Sequence, residues 1–307
     1  MDLQLFDAHP SAGAAMRRAT ATQPDVVFGP YGSGPAVAAL KATHRLVWNH
    51  GGATDRLRWP EIPNVLNLLA PASSYFAAVL RAVVAEDPAV RSVALLQAAT
   101  GFGREVARGA LETAAQLGLY VQMLEYAPDH ASEACERLPH ADVLLVVGSF
   151  ADELEAAVRL LDRPWRRAAF VAAGVDEVLE PLGPSRDGLL GPCQWLAHAA
   201  LPAEEGPDAA WFVEAYRDTT GREPAYPAAA AFAAGVLCAR CLRDTGSTDE
   251  ASILAAATRL EVRTLFDSFH LDPATGLQVG HEVLVVQWQQ GVRRVIWPPE
   301  RSERPLG

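Results

Sequence analysis

The stretch 25–54 constrains the fold more than any other part of the sequence, because it alternates short apolar runs with glycine-rich turns. The apolar run at 26–28 predicts a buried strand, and the turn 29–34, with the sequence GPYGSG, follows it. A second strand is expected at 45–48, and the small-residue turn 51–54 follows that one. This order predicts two neighbouring parallel strands that bring both turns to one edge of a sheet.

That edge is where open α/β sheets bind ligands, and free N–H groups at helix starts favour negatively charged ones. Ser33 and Thr54 are the hydroxyl-bearing residues of the two turns. We therefore expect their hydroxyls, with the surrounding backbone, to bind a small molecule. The alternative is that each hydroxyl merely caps a helix, since Ser and Thr are common caps.

The bulk composition excludes several classes of function. The net charge of −11 argues against binding to nucleic acid or to anionic membrane surfaces, which both need clustered Lys and Arg. No apolar run is long enough to span a bilayer, so direct membrane insertion is not expected, and the first residues do not resemble a signal peptide. The four cysteines lie at 135, 193, 238 and 241, and this spacing favours buried thiols over a disulfide or a metal site.

The length of 307 residues favours two domains, and strand and helix patterns alternate along most of the chain. This alternation predicts an α/β fold with two doubly wound parallel-sheet lobes and a hinge between them. A strand is expected at Leu3–Phe6, and the helix breaker Asp87-Pro88 marks the boundary between the two halves. We expect a first lobe of residues 1–89 plus 206–262 and a second lobe of 90–205 plus 263–298. The polar tail 299–307 is expected to be disordered.

Five segments closely resemble the type I periplasmic binding proteins, and in particular the branched-chain amino acid receptors that feed ABC transporters. They are VVFGPYGSG, VWNHGGATD, SVALLQAATGFGREVARG, ADVLLVVGSF and DPATGLQVGHEVLVVQWQ. The resemblance spans roughly 3–297. It implies two α/β lobes joined by three crossovers, which close on a ligand held between them.

The resemblance also implies ligand contacts, residue by residue. The carboxylate-binding serine of the family corresponds to Ser33. Its clamp of backbone and hydroxyl groups corresponds to Gly52, Ala53 and Thr54. The aromatic contacts of the second lobe correspond to Phe102 and Phe150. Trp195, in a segment where a crossover is expected, is a further candidate for the cleft.

One departure from the family concerns the ligand's ammonium group. Amino-acid receptors place a carboxylate at the end of the strand that corresponds to 170–173, but this chain continues with Ala-Gly-Val. A buried ammonium without a partner costs several kcal/mol. Either Asp176 or Glu177 takes over this role, or the ligand is not an α-amino acid. We favour a carboxylate, an amide or an aromatic acid.

A second departure lies at the start of the chain, where the family has a further strand and helix before Leu3. The resemblance implies that this strand would be central in the first sheet, so we expect that sheet to have an exposed strand edge. The departure suggests a truncated sequence, a degenerate copy or an unusual cytoplasmic form.

Signatures of enzymes are missing from the glycine turns. A dinucleotide fingerprint fails at Val37 and Val106, where a third glycine is needed, and neither turn ends in Gly-Lys-Ser/Thr. No cofactor, metal or catalytic residue is therefore expected.

The resemblance implies an extracytoplasmic solute-binding protein that captures an amino acid, amide or carboxylate and delivers it to an ABC transporter permease. The alternative is a cytoplasmic sensor of the same fold, such as an amide-responsive regulator, and the N-terminal sequence favours this alternative. A third possibility is a vestigial protein without a ligand.

Overall fold

The computed structural model describes residues 2–175 and 178–307. The chain divides into two compact units. Unit 1 consists of Met1–Pro71 and Trp195–Glu282, and unit 2 consists of Ala72–Gln194 and Val283–Gly307. The chain therefore passes from one unit to the other three times, which is the number of crossovers that the family resemblance implies.

Helices and strands alternate through most of the chain, as the sequence pattern predicts. The α-helices of the described residues are α1 (Ala12–Ala21), α2 (Ser33–Leu40), α3 (Ser74–Glu86), α4 (Gly101–Gln116), α5 (Ala131–Arg137), α6 (Phe150–Leu160), α7 (Ala209–Thr220), α8 (Tyr226–Thr245) and α9 (Glu250–Arg259). The strands are β1 (Val27–Phe28), β2 (Val47–Asn49), β3 (Val65–Asn67), β4 (Ser92–Ala98), β5 (Tyr120–Tyr126), β6 (Val143–Val147), β7 (Arg167–Phe170), β8 (Leu190–Cys193), β9 (Val262–Thr264), β10 (Asp267–Phe269), β11 (Leu284–Gln289) and β12 (Val292–Trp297).

Unit 1 contains a three-stranded parallel sheet in the order β1-β2-β3 and an antiparallel hairpin of β9 and β10. The register pairs Val27 with Val47 and Val47 with Val65. These valines form one core cluster with apolar residues of α1 and α2, among them Met16 and Leu40. The expected parallel arrangement of the first two strands is confirmed.

Unit 2 contains a seven-stranded sheet in the order β12-β11-β8-β7-β6-β4-β5. The five strands from β4 to β8 run parallel, and β11 pairs antiparallel with both β8 and β12. The last β segment thus returns to this sheet, as expected. Every residue of β6 is buried, because helices cover both faces of a parallel sheet.

The helix ends follow the local sequence. The Ser11 hydroxyl accepts a hydrogen bond from the backbone N–H of Ala14, and the Asp208 carboxylate accepts one from that of Trp211. Such contacts satisfy N–H groups that lack a carbonyl partner in the first turn. Helices α7 and α8 are followed by Gly221 and Gly246, which both have the positive φ that glycine adopts without strain.

The strand expected at Leu3–Phe6 is absent, and this prediction is wrong. The segment has no regular structure, and the side chains of Leu3 and Leu5 are 70% and 86% exposed. Its apolar pattern suits a strand, but an isolated extended segment has no ladder of hydrogen bonds to hold it. β1 is an outer strand of its sheet and Phe28 is 40% exposed. Every open sheet has outer strands, so an edge exposed by a missing strand stays a prediction.

The unit boundaries differ from those expected, first at α3, which belongs to unit 2 instead of the first lobe. The chain before α3 packs directly on α4, since a Cβ atom added at Gly109 would lie 1.8 Å from the carbonyl oxygen of Ser73. The Tyr75 hydroxyl, near the start of α3, lies 2.8 Å from the side-chain nitrogen of Gln194. These contacts explain why the boundary between the two units falls before α3 and not at Asp87-Pro88.

The segments 195–205 and 263–282 belong to unit 1 instead of the second lobe. The side-chain amide of Asn67 donates a 2.9 Å hydrogen bond to the carbonyl oxygen of Gly276. The indole N–H of Trp195 donates to the carbonyl oxygen of Leu265 at 2.8 Å. Both bonds join residues far apart in sequence, and their partners could not be identified from the sequence.

The C-terminal tail is ordered, contrary to the expectation of disorder. The backbone N–H of Gly307 donates to the side-chain oxygen of Gln287 at 2.9 Å, and Gln289 donates to the carbonyl oxygen of Pro305 at 3.1 Å. These side chains of β11 supply the partners that a polar tail otherwise finds in water.

In the part of the chain that the structure describes, every helix is too short or too polar to cross a membrane.

Candidate functional site

The turn after β1 leads directly into helix α2. Gly32 is the residue before the helix and has a φ of 96°, which favours glycine because a side chain is strained there. The helix begins at Ser33 without a side-chain cap. The Ser33 side chain is half-buried, and its hydroxyl makes no hydrogen bond to any described residue. The structure therefore contradicts the alternative in which the Ser33 hydroxyl caps the helix.

The turn after β2 packs against the turn after β1. The backbone N–H of Gly32 donates a 2.8 Å hydrogen bond to the carbonyl oxygen of Gly51. A Cβ atom at Gly51 would lie 2.5 Å from the Cα atom of Tyr31, and one at Gly52 would lie 2.6 Å from the Cβ atom of Ala36. Only glycine permits these approaches. The structure thus brings the two predicted turns together at the carboxyl edge of the unit 1 sheet.

Two buried asparagines support the second turn from below. The amide of Asn49 exchanges two hydrogen bonds with the backbone of Gly52, donating at 2.7 Å and accepting at 2.9 Å. It also donates to the side-chain oxygen of Asn67 at 2.8 Å, and Asn67 donates to the carbonyl oxygen of Leu57 at 2.6 Å. Sequence reasoning missed Asn67. The signal was available, because β2 and β3 both end in asparagine, as VWN and VLN.

Ala53 and Thr54 are both buried, with Thr54 only 4% exposed. The Thr54 hydroxyl accepts a 3.3 Å hydrogen bond from the backbone N–H of Arg56, as a cap would. His50 is half-buried, and burial lowers its pKa, although the carbonyl of Gly29 acts in the opposite direction. The turn therefore carries no positive charge from His50 at neutral pH.

Phe102 and Phe150 lie in unit 2, at the starts of helices that follow two neighbouring strands, β4 and β6. Phe102 makes an edge-to-face contact with Tyr75, with ring centroids 5.8 Å apart. Phe150 is 44% exposed, and Ser149 and Asp152 form a reciprocal capping box around it. Both rings thus belong to one edge of the unit 2 sheet, and their role as ligand contacts stays a prediction.

A buried carboxyl group lies at the same edge of unit 2. Glu153 is fully buried and accepts hydrogen bonds from the backbone N–H groups of Gly148, at 3.1 Å, and Ala172, at 2.7 Å. It therefore links the ends of β6 and β7. Burial outweighs these two donors and raises the pKa of Glu153 to about 8. Burial also raises the pKa of the neighbouring Tyr126 hydroxyl, beside the Asp152 carboxylate.

Comparison of the sequence with protein-family models gives a match to a family described as periplasmic binding protein. The match covers residues 8–293 of this chain. This chain belongs to that family. The type I fold and the resemblance to branched-chain amino acid receptors are confirmed at the level of the family. The description of the family supports a general ligand-binding role for this chain.

Solved structures share the fold of this periplasmic binding protein at low sequence identity. A leucine-binding protein, LivK, from Thermotoga maritima is 19% identical with a TM-score of 0.78, over 96% of this chain and 86% of that chain. A solute-binding protein of R. palustris in complex with benzoate is 17% identical with a TM-score of 0.75, over 94% and 81%. LivJ of Streptococcus pneumoniae, in complex with isoleucine, is 16% identical with a TM-score of 0.74, over 94% and 84%.

The strand end where the family resemblance places an ammonium partner is followed by Ala173, Gly174 and Val175 in this periplasmic binding protein. A Cβ atom at Gly174 would lie 1.8 Å from the carbonyl oxygen of Pro192 in β8, so no side chain fits there. The guanidinium of Arg293 donates a 2.6 Å hydrogen bond to the carbonyl oxygen of Gly174. Burial lowers the pKa of Arg293 to about 10, which leaves it charged at neutral pH. Asp176 and Glu177, the other candidates for this role, lie outside the described residues.

Trp195 lies in unit 1, where its side chain is only 6% exposed and contacts Phe212 edge-to-face. Its indole N–H is already bonded to the backbone, as described above. These contacts are typical of a core residue, and a ligand contact at Trp195 stays a prediction.

Proposed function

We propose that this periplasmic binding protein captures a small organic acid, without catalysis, and presents it to the permease of an ABC transporter. The observation that carries the proposal is the pair of packed turns at the carboxyl edge of the unit 1 sheet. There, the Ser33 hydroxyl and the start of α2 are not used by a side-chain cap. An extracytoplasmic location is part of the proposal, because it is where transporter receptors meet their solutes.

The chemistry of these turns suits a carboxylate. The N–H groups of Ser33 and Gly34 begin α2, where no intrahelical carbonyl is available to accept from them. A carboxylate oxygen accepts from such groups and from the Ser33 hydroxyl, and the helix dipole favours its negative charge. His50, in the second turn, is neutral at pH 7. In this proposal the carboxylate is therefore bound by N–H groups and a hydroxyl, and not by a histidine cation.

The unit 2 strand end disfavours an α-amino acid. A buried ammonium group needs a negatively charged partner, and neither Ala173 nor the closely packed Gly174 provides one. The guanidinium of Arg293 instead bonds to the backbone of Gly174, and it would repel an ammonium group brought close to it. We therefore infer that the solute lacks an ammonium group. Benzoate, which one neighbour of the same fold binds, is the simplest probe of this class.

The test is a thermal-shift and calorimetric comparison of benzoate with leucine and isoleucine on the purified chain. A ligand at about a hundred times its Kd adds about 2.7 kcal/mol of stability, which raises Tm by several degrees. We expect such a shift with benzoate and none with the two amino acids. A large shift with leucine or isoleucine contradicts the proposed ligand class, and a chain that responds to no small organic acid contradicts solute binding itself.

A further inference from the structure

Two tyrosines from distant parts of the chain meet beside the paired turns of unit 1. The hydroxyl oxygens of Tyr31 and Tyr226 lie 2.8 Å apart, although 195 positions separate the residues. Their ring centroids are 6.2 Å apart, and the ring planes are inclined at 58°. The two phenol groups therefore form a hydrogen-bonded pair, with either oxygen able to donate.

The backbone of Tyr31 is held in place by the turn beneath it. Its Cα atom lies against Gly51, where even a methyl group has no room, and the next residue bonds to the Gly51 carbonyl. Tyr226 is the first residue of α8, and Pro227 restricts the backbone of that first turn. The position of the pair is thus fixed by backbone at both ends, as a recognition element requires.

The Tyr31 hydroxyl can form a further hydrogen bond after it has paired with the Tyr226 hydroxyl. A phenol hydroxyl has one proton to donate and lone pairs to accept with. When Tyr226 donates to Tyr31, the Tyr31 proton is directed to a third group. The Tyr31 side chain is 47% exposed, and Tyr226 is its hydrogen-bond partner among the described residues. Tyr31 directly precedes Gly32 and Ser33, so this donor belongs to the same turn as the proposed carboxylate contact.

We propose that Tyr31 determines ligand selectivity by donating a hydrogen bond to an anionic oxygen of the solute, and that Tyr226 positions it. The inference rests on the proposed function and narrows it to acids that present an oxygen on the Tyr31 side of the turn. Hydrogen bonds to charged acceptors are stronger than those to neutral ones. The pair therefore favours a carboxylate over the amide of the same shape.

A purely structural role makes a different prediction. If the phenol pair only ties α8 to the turn, its loss lowers stability and changes the affinity for acid and amide equally. The discriminating measurement is therefore the ratio of the affinities for benzoate and benzamide, which match in size and differ in charge.

The experiment uses Tyr31→Phe, Tyr226→Phe and the double variant, with calorimetry against benzoate and benzamide and Tm as a check of folding. We expect Tyr31→Phe to weaken benzoate binding by about tenfold or more and benzamide binding by only a few-fold. Tyr226→Phe should weaken benzoate binding less, and it should add little in the Tyr31→Phe background, because it acts through Tyr31. The matched control is Tyr120→Phe, at a 67% exposed tyrosine on β5 of unit 2, which should change neither affinity.

Three outcomes overturn the inference. In one, Tyr31→Phe binds benzoate within about twofold of the unaltered protein. In the second, benzoate and benzamide lose affinity by the same factor. In both cases benzoate still binds the unaltered protein, so the proposed function survives. In the third, the unaltered protein binds neither probe, and the proposed ligand class fails together with the inference.

Discussion

The backbone N–H of Gly32 lies 2.8 Å from the carbonyl oxygen of Gly51, and this hydrogen bond joins the two turns that follow β1 and β2. The bond is possible because each turn is free of side chains where it meets the other. The candidate site is therefore built mainly from backbone, and its geometry depends on glycines more than on the residues that would touch a ligand.

Replacement of Gly51 tests this dependence. In Gly51→Ala the new methyl group would lie 2.5 Å from the Cα atom of Tyr31 and 2.7 Å from the carbonyl oxygen of Pro30. Both contacts are with backbone, so the turns must separate, and we expect a loss of about 1–3 kcal/mol in the free energy of unfolding. Chemical denaturation measures it. The control is Gly34→Ala, where a Cβ atom meets nothing within 4 Å and a helical alanine should be neutral or slightly stabilising.

Replacement of Ser33 should separate binding from stability. The Ser33 hydroxyl bonds to no described residue, so Ser33→Ala should change the free energy of unfolding by no more than about 0.5 kcal/mol. If the hydroxyl binds a carboxylate, benzoate affinity should fall by about tenfold or more. Calorimetry and denaturation on the same sample measure both. An unchanged benzoate affinity would remove Ser33 from the site.

Removal of the Asn67 side chain should destabilise unit 1. Asn67→Ala leaves three buried groups without this partner: the Asn49 side chain and the carbonyl oxygens of Leu57 and Gly276. A buried polar group that loses its partner costs about 1–3 kcal/mol, so we expect a loss at the upper end of that range or beyond it. Denaturation of Asn64→Ala, at a partly buried asparagine of the same unit, provides the comparison. Equal losses in the two variants would contradict a special role of the Asn49–Asn67 pair.

Glu153 predicts a pH dependence of stability. Its pKa in the folded protein is about 8, above the ordinary value of 4.5 that applies to the unfolded chain. Between these values the folded protein binds more protons than the unfolded one, so this group's contribution to stability is lost as pH rises. The slope for one proton is at most about 1.4 kcal/mol per pH unit. Denaturation in steps between about pH 5 and pH 8.5 should show this decline.

The variant Glu153→Gln carries no titrating group at this position, so its decline over the same pH range should be shallower. Glu155→Gln, on the same helix but paired with Arg159 at the surface, should decline like the unaltered protein. Parallel curves for all three proteins would show that Glu153 ionises in the folded state at its ordinary pKa.

The sequence alone predicted the alternating strands and helices, the parallel order of β1 and β2, and the glycine turns at their ends. These features follow from local patterns: apolar periodicity, small residues at turns and caps such as Ser11. It did not predict contacts between side chains and distant backbone. The bond from Ala172 to Glu153 and the pair of Tyr31 with Tyr226 require the tertiary fold, which no local pattern encodes.

The wrong predictions have the same origin. The apolar pattern at 3–6 is adequate for a strand, but strand formation depends on a neighbour, and the described residues supply none. The unit boundaries shifted because α3 packs on α4, as the contact between Ser73 and Gly109 demonstrates. A breaker such as Asp87-Pro88 marks the end of a helix and not the edge of a domain.

The close approach of Gly174 to Pro192 also limits how this protein can change in evolution. An acidic residue at position 174 would strike the backbone of the adjacent strand, so a single codon change there cannot supply a partner for an ammonium group. Introduction of an acidic side chain at position 174 first requires the backbone around Gly174 to move away from β8. A restriction imposed by main-chain packing is harder to reverse than one imposed by an exchangeable side chain.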